Sequence, residues 1–459
     1  MLKDIKKIHF VGIGGAGMSA IAKVLIQMGY TVSGSDLTKS ETTAKLEKMG
    51  ARIFLGHDGE NLQDTQAIVV STAIPESNPE VKLAKEKKLA VFHRADIVAY
   101  LMLQYKGIAV AGAHGKTTTT SMIAVMLESA GIDPTVIIGG EVDYLNGNAK
   151  LGTGRYLVAE ADESDGSFLK FLPHIAVVTN IENDHMDFYK TMENVLHTFR
   201  EFLHKLPLHA GLGILCFDNE YIRNMAGEID RAYISYGIDH QAEYMARNIS
   251  TQGAISTYEV HHNDQLLGTI KIQVPGRHNV ANSLAAVVVG LRVGLTFEEI
   301  AQGLLHFQGA KRRFQTKARM NGIWVIDDYA HHPTEIRTTL SAARQTEPKR
   351  LICVFQPHRY SRTAFLRNEF GSVFQTSDIL VLTDVYAAGE TPIPGITGEV
   401  LKEEVERQTG KKVIYIADKD KIARYLSEIV EPGDLVITMG AGNVYRVGEE
   451  LIELLVKKQ

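Results

Sequence analysis

The sequence predicts an α/β protein whose domains are built on largely parallel sheets. Short apolar runs alternate with helical patterns along the chain, as expected for parallel strands joined by crossover helices. Two of the strand-to-helix connections are rich in glycine, which is typical of nucleotide-binding folds. At 459 residues the chain is long enough for about three domains of ~150 residues each. We therefore expect domains at 1–105, 106–313 and 314–459.

The apolar runs fall into three series. The first predicts strands at 8–13, 30–32, 52–55 and 67–70, followed by a linking helix at about 95–104. The second predicts strands at 108–111, 156–160, 175–179 and 213–217, with an antiparallel patch at 243–274. The third predicts strands at 323–326, 351–355, 379–383, 413–416 and 435–438.

Composition narrows the class of protein. The net charge of −5, without a basic arm, argues against a nucleic-acid partner. Cys216 and Cys353 are far apart and lack metal-ligand spacing, so we expect buried thiols in a reducing compartment. No signal peptide and no apolar run of membrane-spanning length is present. These features predict a soluble, cytoplasmic protein that does not bind membranes.

The most informative motif is a glycine loop between a predicted strand and a predicted helix. Its residues are Gly112, Ala113, His114, Gly115, Lys116, Thr117 and Thr118. Backbone N–H groups and the helix N-terminus can bind phosphate oxygens, Lys116 can reach the β- and γ-phosphates, and the Thr117 hydroxyl can ligate Mg²⁺. The loop is shorter than the common phosphate-loop pattern, because Val110 stands where that pattern has glycine. It predicts an ATP site.

A second glycine motif opens the chain. Gly12, Gly14, Gly15, Ala16 and Gly17 follow the first strand, and Asp36 stands where a ribose-binding acid is found in nicotinamide-binding folds. The motif favours a pyrophosphate ligand but does not distinguish NAD from a UDP-sugar. Polar groups at nearby strand and helix ends are Ser71, Thr72, His93 and Arg94; each is interpreted equally well as a ligand contact or as a helix cap.

Acidic residues end one strand of the second series. Four acids fall within six residues, at Glu160, Asp162, Glu163 and Asp165, and we expect a cation, most simply Mg²⁺, to offset their charge. His185 follows the next strand and is predicted to lie at the same sheet edge as Lys116, as a ligand or phosphate contact.

Six segments in order carry a family resemblance. They are the short phosphate loop, the acidic strand end, Asn180–Asp187, Gly276–Asn282, Asp327–Pro333 and Gln356–Thr363. Together with the glycine-rich N-terminus, they make the chain resemble the Mur ligases over nearly its whole length. The resemblance implies a Rossmann-like N-terminal domain, a P-loop ATPase-like central domain and a Rossmann-like C-terminal domain that closes over ATP and the amino acid.

The resemblance also implies a role for each matching residue. Lys116, Glu160 and His185 would be catalytic, and Thr117, Glu160 and His185 would hold Mg²⁺. The adenine and its surroundings would contact His278, Asn279 and Asn282. Phosphate and ribose would meet Arg312 or Arg313 and Asp328. The glycine motif with Asp36, Ser71, Thr72, His93 and Arg94 would bind a UDP-sugar. The amino-acid pocket would contain Tyr329, His331, Arg359 and Arg362.

The implied activity is an ATP-dependent ligation in peptidoglycan precursor synthesis. L-alanine would be joined to the lactyl carboxylate of UDP-N-acetylmuramate through an acyl phosphate, by a monomer or weak homodimer, with His185 as candidate acceptor of the amine proton. The alternatives are a related ligase with another UDP-sugar peptide or amino acid, an NAD-dependent oxidoreductase, or an ATP-hydrolysing switch. The oxidoreductase leaves the phosphate loop unexplained, and the switch leaves Arg359 and Arg362 without a role.

Overall fold

The N-terminal part of the chain folds around a five-stranded parallel sheet of order β3-β2-β1-β4-β5. In this computed structural model the described residues are 2–457, apart from the side chain of Asp187. Apolar strand residues such as Ile8 and Phe10 are fully buried, while a Ser40 capping box starts α2. The elements are β1 Lys7–Val11, α1 Ala16–Gln27, β2 Thr31–Asp36, α2 Glu41–Lys48, β3 Arg52–Leu55, β4 Ala67–Val70, α3 Pro79–Glu86, β5 Ala90–His93 and α4 Arg94–Met102.

A ten-stranded sheet of order β15-β14-β13-β12-β11-β10-β6-β9-β7-β8 follows. The central strands from β13 to β7 run parallel, and β8 is antiparallel to β7. Its elements are β6 Lys106–Ala111, α5 Lys116–Ser129, β7 Thr135–Val142, β8 Gly147–Lys150, β9 Tyr156–Glu160, β10 Ile175–Val178, α6 Met186–Tyr189, α7 Met192–His204, β11 Leu212–Cys216, α8 Glu220–Ala226, β12 Tyr233–Gly237, β13 Tyr244–Gln252, β14 Ile255–His262, β15 Gln265–Ile272, α9 Arg277–Val293 and α10 Phe297–Leu305.

The C-terminal part contains a six-stranded sheet of order β16-β17-β21-β18-β19-β20. Only the edge strand β16 is antiparallel among the described strands, and apolar clusters cover the sheet. Its elements are β16 Gln315–Met320, β17 Ile323–Asp328, α11 Pro333–Gln345, β18 Arg350–Phe355, α12 Tyr360–Phe365, α13 Arg367–Phe370, β19 Ile379–Leu382, α14 Gly398–Thr409, β20 Ile414–Tyr415, α15 Ile422–Ile429, β21 Asp434–Met439 and α16 Tyr445–Lys457.

By packing, the chain divides into two compact units. The first contains residues 1–248, 258–271 and 281–307, and it includes both the five-stranded sheet and most of the ten-stranded sheet. The second contains residues 249–257, 272–280 and 308–459. The domain limits at 105 and 313 stay a prediction.

The predicted α/β class and its three strand series are confirmed. The predicted antiparallel patch is also present, because β13, β14 and β15 are sheet neighbours joined by two-residue links, which only antiparallel strands allow. Strands β5, β7, β8, β12 and β16 were not predicted. Within residues 2–457, no helix combines the length and the apolar character needed to cross a membrane.

Candidate active site

The phosphate loop lies at the carboxyl edge of the ten-stranded sheet, between β6 and α5. Helix α5 begins at Lys116, and its N-cap, Gly115, offers no side chain to the first N–H groups. The first turn carries no acidic residue. Helices elsewhere in the chain, such as α2 and α10, are capped by Ser40 and Thr296. The N-terminus of α5 therefore has the backbone donors and the dipole that bind an anion.

Two glycines of this loop have conformations that a side chain would prevent. Gly112 has φ +135°, and a Cβ there would lie 2.2 Å from the Thr179 hydroxyl. Gly115 has φ +81°, and a Cβ there would lie 2.7 Å from Oδ1 of Asn282. The loop is thus packed closely against β10 and α9, and Asn282, predicted near the nucleotide, is beside it.

Lys116 is held inside the loop. Its Nζ donates to the carbonyl oxygens of Gly112 at 2.5 Å and Ala113 at 3.2 Å, and to Oε1 of Glu163 at 2.8 Å. Burial by itself would lower the pKa of Lys116, but the charges of Glu163, Asp162 and Glu160 raise it above its ordinary value. Lys116 is therefore a half-buried, charged ammonium.

Two of the three predicted metal ligands, Glu160 and His185, flank the phosphate loop. Glu160 ends β9 and His185 follows β10, and these strands pair with β6 from either side. Oε1 of Glu160 accepts the N–H of Gly139 at 2.8 Å. His185 has φ +55°, and its Nε2 lies 3.8 Å from Oε1 of Glu163. The prediction that His185 shares a sheet edge with Lys116 is confirmed.

The N-terminal glycine loop has the same construction. Helix α1 begins at Ala16 after Gly15, again with neither a side-chain cap nor an acidic residue in the first turn. Oδ2 of Asp36 accepts the N–H of Gly14 at 2.9 Å, and Nη1 of Arg94 lies 2.8 Å from where a Cβ on Gly17 would be. A second anion-binding helix end, with an arginine beside it, is the result.

The other polar groups predicted near this loop lie at strand and helix ends, as expected. Ser71 and Thr72 follow β4, and His93 is the N-cap of α4. The Thr72 hydroxyl lies 3.2 Å from Nε2 of His93 and also bonds Asp165. His93 thus fulfils the structural role proposed for it, a helix cap, while its ring stays near the loop's polar groups.

The chain itself offsets part of the negative charge at the acidic strand end, and the predicted Mg²⁺ stays a prediction. Three of the four acids have cationic or polar side-chain partners: Asp162 pairs with Arg94 at 2.5 Å, Glu163 with Lys116, and Asp165 with Thr72 and His93. Burial would raise the pKa of Asp162, but Arg94 and Lys116 hold it well below its usual range. Lys116 of the phosphate loop and Arg94 at the start of α4 thus neutralise two of the four acids.

The predicted nucleotide contacts on α9 differ in their surroundings. Burial, with Arg313 nearby, lowers the pKa of His278 to about 4, so its imidazole is neutral. Nδ2 of Asn279 donates to the carbonyl oxygen of Pro275 at 2.7 Å. His278 and Asn279 belong to the second compact unit and Asn282 to the first. Their common adenine role stays a prediction.

Arg312 contacts residues of the second compact unit, to which it belongs. Its Nε donates to buried Asp327 at 3.0 Å and its Nη2 to the Gly440 carbonyl at 2.6 Å, while its guanidinium lies over the rings of Tyr329 and Tyr445. Arg313 lies over Tyr329 and pairs with Glu335 at 3.5 Å. Which of the two arginines meets phosphate stays a prediction.

Asp328, predicted to contact the ribose, forms hydrogen bonds with the backbone. Its carboxylate accepts the N–H groups of Phe314 at 2.6 Å and Ala330 at 2.8 Å. Burial raises its pKa to about 6. The structure therefore gives Asp328 a role in holding the turn that connects α10 with β16, and its ribose contact stays a prediction.

The residues predicted for the amino-acid pocket gather around a histidine that the sequence analysis did not select. The His331 ring lies 5.5 Å from that of Tyr329 and 5.8 Å from that of His358. His358 also stacks on Tyr386 and contacts Nη1 of Arg362 at 3.2 Å. His358 could have been selected from the sequence, because it lies within the motif Gln356–Thr363. Tyr386 could not, because it follows a different strand and belongs to no motif.

Arg359 and Arg362 are three residues apart but do not lie on one helical face. Helix α12 begins at Tyr360, and Arg359 precedes it with φ +68°. The side chain of Arg359 is exposed, and that of Arg362 is half-buried against His358. Backbone geometry outside the helix, and not an i, i+3 spacing, sets the direction of Arg359.

We expect the protein to be less stable at pH 5 than at pH 7. Burial lowers the pKa of His278 and His331 to about 4 and that of His358 to about 3. Since unfolded histidine has a pKa of about 6.5, the unfolded state binds more protons than the folded state below that pH. At pH 5 this lowers the free energy of unfolding by about 1–2 kcal/mol per histidine. Asp328 opposes this, because its raised pKa favours the folded state as pH falls through about 6.

Asp327 and Glu163, whose pKa values burial also raises, act in the same sense as Asp328. The three histidines together outweigh these carboxyl groups, so the melting temperature should fall between pH 7 and pH 5, and calorimetry at the two pH values measures it. His358→Gln should flatten the dependence. An equal melting temperature at both values would contradict the assignment.

Comparison with known proteins gives three family matches in chain order. A "Mur ligase family, catalytic domain" model matches residues 7–106, a "Mur ligase middle domain" model matches 110–290, and a "Mur ligase, glutamate ligase domain" model matches 312–442. Together they cover both glycine loops and the cluster around His358.

Individual relatives match over the whole chain. UDP-N-acetylmuramate–L-alanine ligases from Pelotomaculum thermopropionicum and Geotalea uraniireducens are 49% and 50% identical over 455 residues, covering 99% of this chain and 98% and 99% of theirs. The crystal structure of a UDP-N-acetylmuramate–alanine ligase from Thermotoga maritima is 29% identical, with a TM-score of 0.85 and coverage of 99% and 100%. A murein peptide ligase from Psychrobacter arcticus is 25% identical, with a TM-score of 0.72 and coverage of 98% for both chains.

Proposed function

From the premise that this chain belongs to the Mur ligase family, we infer that it joins L-alanine to UDP-N-acetylmuramate. It is an ATP-dependent ligase of peptidoglycan precursor synthesis, and relatives of that name are 49–50% identical over nearly the whole chain. ATP dependence is consistent with a related ligase structure that is a complex with ADP. We further propose that it acts in the cytoplasm.

The observation that carries the proposal is the pair of glycine loops with uncapped helix ends. The loop at Gly12–Gly17, with Arg94 beside it, is suited to the diphosphate of the UDP-sugar. The loop at Gly112–Thr118, with Lys116, is suited to ATP. Both lie in one compact unit, and Asp162 and Glu163, which are adjacent in sequence, contact the cations of the two loops.

The chemistry begins with a carboxylate, which is a poor electrophile. We propose that ATP phosphorylates the lactyl carboxylate, that the amine of alanine attacks the resulting acyl phosphate, and that phosphate leaves. Phosphoryl transfer needs positioning and neutralisation of charge, which Lys116 and the N-terminus of α5 supply. His185, at the same sheet edge, is the candidate to accept the amine proton.

Mg²⁺ belongs to the proposal as a partner of ATP. The Thr117 hydroxyl and the Glu160 carboxylate offer the oxygen ligands that Mg²⁺ prefers, and His185 is the third predicted ligand. The donor set at this edge therefore fits a divalent cation, which would neutralise phosphate charge during transfer.

The carboxylate of alanine is assigned to the cluster around His358. Tyr329 and His331 would line the pocket, and Arg359 and Arg362 would bind the carboxylate, since a guanidinium can hold it with two parallel hydrogen bonds. The exposed side chain of Arg359 is available to a ligand.

Phosphate release from ATP tests the activity. Release should require both UDP-N-acetylmuramate and L-alanine, each omitted in turn. Glycine, L-serine and UDP-N-acetylmuramoyl peptides are assayed as alternative substrates. The amino acids are included because one methyl group contributes only about 1–3 kcal/mol to discrimination between substrates. Release without the UDP-sugar would favour the ATP-hydrolysing switch, and tight NADH binding would favour the oxidoreductase.

Arg359→Lys is expected to raise the KM for alanine by about tenfold or more, because it loses one charge-assisted hydrogen bond of about 1.5–3 kcal/mol. The KM for ATP should change little. Steady-state kinetics with each substrate varied separately measures both constants, and Arg344→Lys, at an ion pair with Asp378, is the matched control. An unchanged alanine KM in Arg359→Lys and Arg362→Lys would place the pocket elsewhere.

A further inference from the structure

The ammonium group of Lys116 has no hydrogen-bonding capacity to spare. An ammonium carries three N–H donors, and the three acceptors around Nζ all belong to the protein. Two are carbonyl oxygens of the loop, and the third is the carboxylate of Glu163. A phosphate can receive a hydrogen bond from Lys116 only if one of these contacts breaks.

Glu163 is the charged member of that set, and its position is costly. Its side chain is 4% exposed, and Oε2 has no hydrogen-bond partner among the residues that the structure describes. The Tyr189 hydroxyl donates to its backbone carbonyl, which holds residue 163 in place without satisfying the carboxylate. A buried carboxylate with one unsatisfied oxygen destabilises a fold, so Lys116 is its main compensation.

We propose that Glu163 is a positioning residue that holds Lys116 within the loop and competes with nucleotide phosphate for it. The inference rests on the proposed role of Lys116 in nucleotide binding. Nucleotide binding transfers a hydrogen bond of Lys116 from the Glu163 carboxylate to a phosphate oxygen. Part of the free energy of nucleotide binding is therefore used to break the Lys116–Glu163 pair, which lowers the affinity for nucleotide.

The neighbouring ion pair has the same form. Asp162 pairs with Arg94, which stands over the N-terminal glycine loop. Two adjacent carboxylates thus each contact the cation of one anion-binding loop. This recurrence supports the interpretation of Glu163 as an internal substitute for a phosphate, since a purely local packing role would not repeat at a second loop.

Isothermal titration of the full chain with MgADP tests the proposal. Glu163→Gln keeps the size of the side chain and removes its charge, so it should bind MgADP about tenfold more tightly than the unsubstituted protein. Asp165→Asn removes a charge from the same segment without touching Lys116, and it should leave the affinity within about twofold. A role in structure alone predicts weaker or unchanged binding for Glu163→Gln.

A double-mutant cycle isolates the contact. With Lys116→Ala as background, adding Glu163→Gln should not change the MgADP affinity. Two results would overturn the proposal. One is unchanged or weaker MgADP binding by Glu163→Gln in the protein that retains Lys116. The other is an equal gain in MgADP affinity with and without Lys116. If Glu163→Gln does not fold, Glu163→Asp, whose shorter side chain weakens the pair, is judged by the same criteria. Absence of MgADP binding by the unsubstituted protein would instead contradict the proposed nucleotide site.

Discussion

Lys116→Ala is expected to lower the rate of ligation by about 10²–10³-fold or more, because it removes a positive charge aimed at the transferring phosphoryl group. Lys116 is a half-buried, charged side chain at the N-terminus of α5. The loop around it is held independently, since Asn180 Oδ1 accepts the N–H of His114 at 2.9 Å and the Thr179 hydroxyl donates to the His114 carbonyl. The loss should therefore concern chemistry and nucleotide binding more than folding.

The same variant should keep its affinity for UDP-N-acetylmuramate, because the glycine loop proposed for that ligand lies on another sheet. Coupled phosphate release measures the rate, and titration with the UDP-sugar measures the affinity. Lys150→Ala is the matched control: Lys150 is also paired with carboxylates, Glu128 and Asp133, but lies outside the phosphate loop. Equal loss of both ligands, or activity close to that of Lys150→Ala, would mean that the nucleotide loop is misassigned.

Arg312→Ala is expected to destabilise the second compact unit by about 3–5 kcal/mol, because it leaves the carboxylate of Asp327 buried without its cation. Asp327 is 1% exposed and has Thr438 as its other side-chain partner. Burial raises the pKa of Asp327 even with Arg312 present. The substitution also removes the donor to the Gly440 carbonyl and the cation between Tyr329 and Tyr445.

Denaturant unfolding measures this loss. Arg319→Ala is the control, since Arg319 is an exposed arginine over the ring of Trp324 in the same unit and should cost less than about 1 kcal/mol. Arg312→Lys, which keeps the charge but loses the planar donor pattern, should fall between the two. Stability equal to that of Arg319→Ala would show that Arg312 is available for nucleotide phosphate, as the family resemblance implies.

Much of the architecture could be predicted because it depends on neighbours in sequence. Apolar runs of strand length, glycines at strand ends and helical patterns after them are local signals, and they located both glycine loops and most strands. The strands that were missed include β7, in which two glycines and a glutamate interrupt the apolar pattern, and the edge strand β16, which has no apolar run.

The sequence by itself determined the α/β class, both anion-binding loops and the family, since these depend on residue types at short spacing. Only the tertiary structure decided which charges neutralise each other: Glu163 is 47 residues from Lys116, and Asp162 is 68 from Arg94. Ion pairing depends on the distances between atoms and on burial, and neither can be predicted from the spacing of residues along the chain. For the same reason the sequence did not show that Arg94 and Lys116 neutralise Asp162 and Glu163 in the acidic segment.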